Sequence, residues 1–270
     1  MRPLRIRRDF YESRIWKFHQ IANLYERIRL QNIFEFLTPK YVDIILDARC
    51  EGGTYTKYLA EASTVIAIDI SRNALENAKI VLSDFSERIH FIVCDNGHLP
   101  IRDNSVDKIA SIDVIEHIVD VQISLKEMGR VSKSGGKIVI FTACGENKFT
   151  LENMLEPILS KLINLIRLKF GHIHVFSFHE LCRLLEPYFA VKEIYYRHHW
   201  LGWSVKFLWD ISTLKSPESH SQLPALKNPF LSALSRILWY MLKIEYKLLK
   251  RVSTRSEIII NAYSKKALHQ

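Results

Sequence analysis

The sequence predicts an α/β fold in which a mostly parallel sheet carries helices on both faces. Two observations carry that prediction. Short β-branched runs, apolar on both faces, recur along residues 43–142, and helical segments separate them. The chain, at 270 residues with 48% hydrophobic and 25% charged, has the size and composition of one large domain or a domain with an appendage. Nine Gly and eight Pro are few for this length, so long structureless loops are not expected.

The elements follow in order. Residues 10–37 read as helix, because Phe18, Ile21, Ala22, Tyr25, Ile28, Ile33 and Phe36 recur at three- and four-residue steps. Thr38-Pro39 stops it. Residues 43–48, 64–69, 89–94, 106–112 and 137–142 read as strands, with helices near 54–62, 72–83 and 121–132. The rhythm then changes. Residues 149–170 form a basic amphipathic helical stretch, and 178–185 a helix N-capped by Ser177. Residues 190–196 and 257–263 are two late strands. Between them lies an insertion rich in Trp and Leu, with a polar link at 215–222 and a helix near 230–250. The organisation expected is a helical cap (1–40), an α/β core (41–196 with 256–264) and a basic helical insertion (197–255).

The formal net charge of +9 is unevenly placed. Residues 1–30 carry eight Lys/Arg against three Asp/Glu and residues 197–270 twelve against four, whereas 31–196 carry 18 against 22. Basic ends of this kind face water, nucleic acid or anionic lipid. No apolar run approaches the roughly 18 residues of a membrane span. Cys50, Cys94, Cys144 and Cys182 lie far apart without a C-x-x-C pair, which fits reduced, buried thiols in a cytoplasmic protein. The Arg-rich first residues lack the apolar segment of a secretory signal.

In an open α/β sheet, ligands bind beyond the carboxyl ends of the strands. There the chain places Asp47-Ala48-Arg49-Cys50-Glu51-Gly52-Gly53, then Asp69, then Asp95-Asn96, then Asp113 with Glu116 and His117. Each carboxylate could cap the helix after it, but four at successive strand ends are costly to crowd unless something cationic or donor-rich binds. Asp69, about 20 residues past the first turn, suits the hydroxyls of an adenosine ribose. A dinucleotide also needs G-x-G-x-x-G to hold its pyrophosphate. Here the turn is acidic at Glu51 and has only Gly52 and Gly53. A sulfonium nucleoside, positively charged and free of phosphate, fits better.

The blocks ILDARCEGG, VIAIDISRNALENAK, IVCDNGHLPIRDNSVDKIASIDVIEHI, LKEMGRVSKSGGKIVI and GHIHVFSFHELCRLL, in this order from Ile44 to about Ile194, resemble the class I S-adenosylmethionine-dependent methyltransferases. Within them the chain is most similar to the branch of the ubiquinone and menaquinone biosynthesis methyltransferases. The resemblance implies a Rossmann-like, doubly wound sheet of seven strands, and S-adenosyl-L-methionine as the cofactor. It implies that Asp47 orders the first turn and the cofactor's amino-acid end, and that Gly53 lets the helix start approach. Asp69 would bind ribose, Ile70 pack on adenine, and Asp95 and Asn96 border the ring, with Asp95 accepting from the adenine amino group. Ile112 and Asp113 would line the methionine part, Asp113 facing the acceptor. Ser134-Gly135-Gly136 resembles the family's turn before the fifth strand.

The chain departs from the family's D-x-G-x-G-x-G turn, with Arg49 and Glu51 at the first two glycine places. A side chain there would block the methionine moiety or strain the backbone. Alternatively, Arg49 would pair with Glu51 or with the cofactor's carboxylate. A scaffold that folds this way without binding cofactor therefore stands beside the enzyme as a reading.

Methyl transfer by in-line displacement at a sulfonium chiefly demands alignment, which supplies about 7–11 kcal/mol. For a hydroxyl acceptor a base adds roughly 10²–10⁴-fold. His117 is the candidate base, beside Asp113, with a backbone-bonded helix-start residue as its plain alternative. Asp113-x-x-Glu116-His117 resembles the metal cluster of certain quinone O-methyltransferases, but those carry Glu where this chain has Asp113, and no metal is expected. His172, His174 and His179 show no shared ligand spacing and read as loop and helix-start residues, with His172 near the acceptor pocket.

Methyltransferases of exocyclic amines usually carry Asn/Asp-Pro-Pro-aromatic after the fourth strand. This chain reads Ser111-Ile112-Asp113-Val114, which argues against base methylation, and no RNA-recognition module is visible. A nucleic-acid-directed enzyme using its basic ends is the third reading. Three Trp within 200–209 and the stretch 237–249, with Lys243, Lys247, Lys250 and Arg251, suit either a cap packed on the sheet or a helix on an anionic membrane surface. The expectation is a small-molecule or lipid-like acceptor, O- or C-methylated, in the cytoplasm or peripheral to a membrane.

Overall fold

Alternate residues of the central strands bury opposite faces, which divides the core in two. Leu46, Ile68, Ile109, Ile138, Ile140, Ile258 and Ile260 pack on one side. Ile45, Ala67, Ala110, Val139, Phe141 and Ile259 pack on the other. In the computed structural model the described residues are 12, 18, 21, 24–144, 157–158, 160–161, 171–197, 229–249, 251 and 257–265.

The elements are α1 (Leu24–Leu37), β1 (Ile44–Asp47), α2 (Thr54–Ala62), β2 (Thr64–Asp69), α3 (Arg72–Val81), β3 (Ile89–Val93), β4 (Val106–Ile112), α4 (Val121–Val131), β5 (Ser132–Ala143), α5 (Phe178–Leu185), β6 (Phe189–Arg197), α6 (Pro229–Leu249) and β7 (Glu257–Ser264). The sheet has the order β3-β2-β1-β4-β5-β7-β6. β1 to β5 pair in parallel. β7 enters antiparallel between β5 and β6. This is the expected mostly parallel seven-stranded sheet.

Helices cover both faces. Ile33, Phe36 and Leu37 of α1, Leu59 of α2 and Ala78 of α3 join one core. Leu125 and Met128 of α4 and Leu181 and Leu185 of α5 join the other. Ser71, Asp120 and Ser177 cap α3, α4 and α5, each accepting a bond from the backbone N–H three residues on.

Three expectations are corrected. The expected turn at Ser134–Gly136 lies inside β5, which starts at Ser132 and bulges before Lys137, where the register against β4 shifts. Gly135 adopts φ +67 there, and a Cβ on Gly136 would come within 2.8 Å of the Lys133 carbonyl oxygen. Of the four cysteines, all free, only Cys50 is buried, because Cys94 and Cys144 follow strand ends at the rim of the core and Cys182 sits partly exposed on α5. The first helix runs Leu24–Leu37 rather than from residue 10, since Phe18 and Ile21 are not helical. Apart from 12, 18 and 21, residues 10–23 lie outside the described residues, as do most of 149–170, the Trp-rich 200–209 and the link 215–222. Among the described residues no helix is long and apolar enough to cross a membrane.

Candidate active site

The carboxyl ends of β1 to β4 open on one cleft. Its lining includes Arg49, Asp69, Ile70, Asp95, Asn96 and His117. The sequence expected all six at the site, and the parallel sheet brings them together from four separate loops. Ala48, Cys94, Val114, Ile118 and Val119 complete the wall; as apolar or small residues beside the polar ones they carried no sequence signal of their own. Arg49 reaches across from the β1 turn, and its Nη1 donates to the backbone carbonyl of Asp113.

The first turn is held from below. Asp47 is buried beneath it and accepts from Thr56 Oγ1 at 2.7 Å. Burial pushes its carboxyl up to about 6, against the pull of that hydrogen bond. Gly53 takes φ +87, and a Cβ there would come within 2.7 Å of Leu82, so the closely packed turn requires glycine. Glu51 also lies in the left-handed region, at φ +49, without being glycine. Its N–H donates to Asp69 Oδ2 at 3.0 Å. Its carboxylate pairs with Arg49 at 3.0 Å. Of the two expected effects of replacing glycine, strain therefore falls on Glu51 and obstruction on Arg49.

Asp69 receives Glu51 N–H on one oxygen and Ser71 N–H at 2.9 Å on the other. A carboxylate accepts about four bonds, which leaves capacity toward the cleft. Burial lifts it to about 6, with the Arg49 guanidinium pulling it down. Asn96 donates to the Ala48 carbonyl at 2.8 Å, while its buried Oδ1 has no partner. Asp95 Oδ1 accepts Gly97 N–H at 2.6 Å.

Asp113, at φ +51, ends β4, but it faces Arg29 rather than the cleft. Arg29, buried on α1, donates from both terminal nitrogens to the Asp113 carboxylate and at 2.8 Å to Glu257 at the start of β7. Asp113, the candidate reacting carboxylate, is thus paired with Arg29 in this structure and is not among the residues lining the cleft. Asp47, Glu51, Gly53 and Ile112 likewise shape the turn and β4 without lining the cleft. Two of the strand-end carboxylates are paired with arginines, Glu51 with Arg49 and Asp113 with Arg29.

His117 lines the cleft, and its Nδ1 lies 3.1 Å from the Gly171 carbonyl oxygen. A carbonyl only accepts, so Nδ1 carries a proton, and in the neutral ring the lone pair falls on Nε2. The His172 ring meets it edge-on, with centroids 4.9 Å apart. His172, expected near the acceptor pocket, stands beside this histidine because the 171–176 segment folds back. Ile173 and His174 donate their N–H groups to the Glu116 carbonyl. Potential ligand atoms of Glu116, His117 and His172 lie within 4.8 Å of one another, a set that could hold a metal ion. Glu116, buried and accepting from Thr142 Oγ1 at 2.9 Å, is pushed up to about 8 by burial and then by Asp113.

Residues 46–140 match the family model described as a methyltransferase domain. The probable tRNA methyltransferase 9B of Bos taurus is 32% identical over 157 residues, covering 55% of this chain and 32% of that protein. The demethylmenaquinone methyltransferase of Staphylococcus haemolyticus is 28% identical over 135 residues, covering 48% of this chain and 51% of that protein. The chain spans about half or less of the length of the curated relatives it matches. Among solved structures, the geranyl diphosphate C-methyltransferase from Streptomyces coelicolor A3(2), in complex with Mg2+, geranyl diphosphate and S-adenosyl-L-homocysteine, superposes with a TM-score of 0.65. It covers 96% of this chain and 97% of that one at 13% identity, a likeness of fold.

Proposed function

We propose, from the premise that residues 46–140 carry the core of a class I S-adenosylmethionine-dependent methyltransferase, that this chain methylates oxygen or carbon of a small-molecule or lipid-like acceptor. The observation that carries the reading is Asp69. It stands at the end of β2 with accepting capacity toward the cleft, opposite a turn that lacks the glycines a pyrophosphate needs. The residues present suit a nucleoside. Asp69 would accept ribose hydroxyls and Ile70 would pack on adenine, while Asp95 keeps one oxygen for the amino group. The unpartnered Asn96 Oδ1 offers a second buried acceptor that a ligand donor would satisfy.

S-adenosylmethionine supplies a methyl group activated on sulfonium. The chain's own work is binding and alignment, worth about 7–11 kcal/mol. Arg49, which here pairs with Glu51 and the Asp113 carbonyl, would be the residue to hold the cofactor's carboxylate. His117 Nε2 takes the proton of an acceptor hydroxyl. Arg29 holds Asp113 at the end of β4.

The closure by Arg49 also favours a second reading, a cofactor-free binding module. Incubation with cofactor tritiated in the methyl group, a quinone and polyprenyl extract, and transfer RNA decides among them. Label in the organic phase, lost in Asp69→Ala, is the expected result. Label in RNA supports the tRNA-directed activity that one relative's name describes, and no label supports the binding module. Either overturns the proposal.

A further inference from the structure

The last helix leaves an apolar stripe uncovered. Ile237, Tyr240, Met241, Ile244 and Leu248 of α6 are 49–72% exposed. At about 100° per residue they fall within an arc of roughly 100° on one side of the helix. Leu242, Tyr246 and Leu249, on the other side, are half-buried. Exposed apolar side chains scattered singly are ordinary, but a continuous stripe marks an interaction surface.

The charges beside the stripe identify its partner. Lys243 and Lys247 follow its Tyr240 edge, and exposed Arg251 continues the row just past the helix end. Glu245 is the sole acidic residue in 229–249. A second copy of this chain, pairing the stripe with itself, would set like-charged rows close together. An anionic lipid surface meets both features, accepting the apolar side chains at the headgroup–acyl boundary and the cations at its phosphates.

We infer that α6 docks this face on an anionic lipid bilayer, lying in the interface. The inference rests on the helix alone and stands or falls independently of cofactor binding.

The test is flotation of the full chain with phosphatidylcholine vesicles with and without phosphatidylglycerol, across a salt series. Binding to the anionic vesicles, weakening with salt, is expected. Lys247→Glu with Arg251→Glu should weaken it about five-fold for each charge removed. Ile244→Asp with Leu248→Asp should weaken it roughly tenfold or more, with an unchanged thermal melt. Ile244→Ser with Leu248→Ser keeps the comparison available if the acidic pair unfolds. Absence of binding, equal binding to both vesicle types, or indifference to the apolar substitutions overturns the inference. So does a concentration-dependent dimer that the apolar substitutions abolish.

Discussion

Arg29 grips both carboxylate oxygens of Asp113 across 84 positions of sequence, and shares its second terminal nitrogen with Glu257. One side chain of α1 thereby ties the end of β4 to the start of β7 at the edge of the cleft. The guanidinium also sits 5.4 Å from the Phe141 ring centroid. Replacing Arg29 leaves Glu257 buried without this partner and Asp113 loose at a left-handed backbone position.

Arg29→Ala should therefore cost about 3 kcal/mol of stability in urea unfolding, the low end for a broken buried pair. The low end applies because the Asp113 side chain is 39% exposed. Arg29→Lys should recover only part, since an ammonium lacks the fork that serves two carboxylates. A loss under 1 kcal/mol in Arg29→Ala would show that the cluster carries no such weight.

Arg49 and Glu51 occupy glycine places with an internal ion pair. Because Arg49 must leave its contacts before a ligand enters, the free protein carries a conformational penalty on binding. Arg49→Gly combined with Glu51→Gly should raise affinity for S-adenosylhomocysteine roughly tenfold, if clearing the cleft is worth about 1.4 kcal/mol. Fluorescence titration measures it. A fall in affinity would show instead that the ligand's carboxylate contact with Arg49 outweighs the obstruction.

Glu116 makes stability depend on pH. Its folded pKa, about 8, stands above its ordinary 4.5 because of burial. A carboxyl with a raised pKa contributes stability that is present below about 4.5 and lost as pH rises through 8. Asp47 and Asp69, raised to about 6, act the same way but finish earlier. Thermal melts of wild type should fall relative to Glu116→Gln between about pH 4.5 and 8. Parallel melts across that interval would contradict the burial account.

The sheet was legible because burial on both faces writes near-continuous β-branched runs, and the ligand-bearing strand ends follow from parallel topology. Asp69, Asn96 and His117 were found that way. Arg29 was not, although a signal existed. It occupies the apolar phase of α1, four before Ile33 and seven before Phe36, and a charge at such a position asks for a buried partner. Which partner depended on folding α1 against two distant strands. His172 joined His117 through backbone bonds from Ile173 and His174 to Glu116, contacts that side-chain spacing does not encode. The fate of Glu51 was open for a different reason, since only the backbone dihedral tells strain from accommodation.

Calorimetric titration with S-adenosylhomocysteine, wild type against Asp69→Ala, tests the nucleoside cleft most directly. The account predicts one site per chain in wild type and its loss in the variant, with a cooperative melt above the titration temperature showing that the variant is folded. Heat from neither protein at millimolar ligand, or equal binding by both, would contradict it.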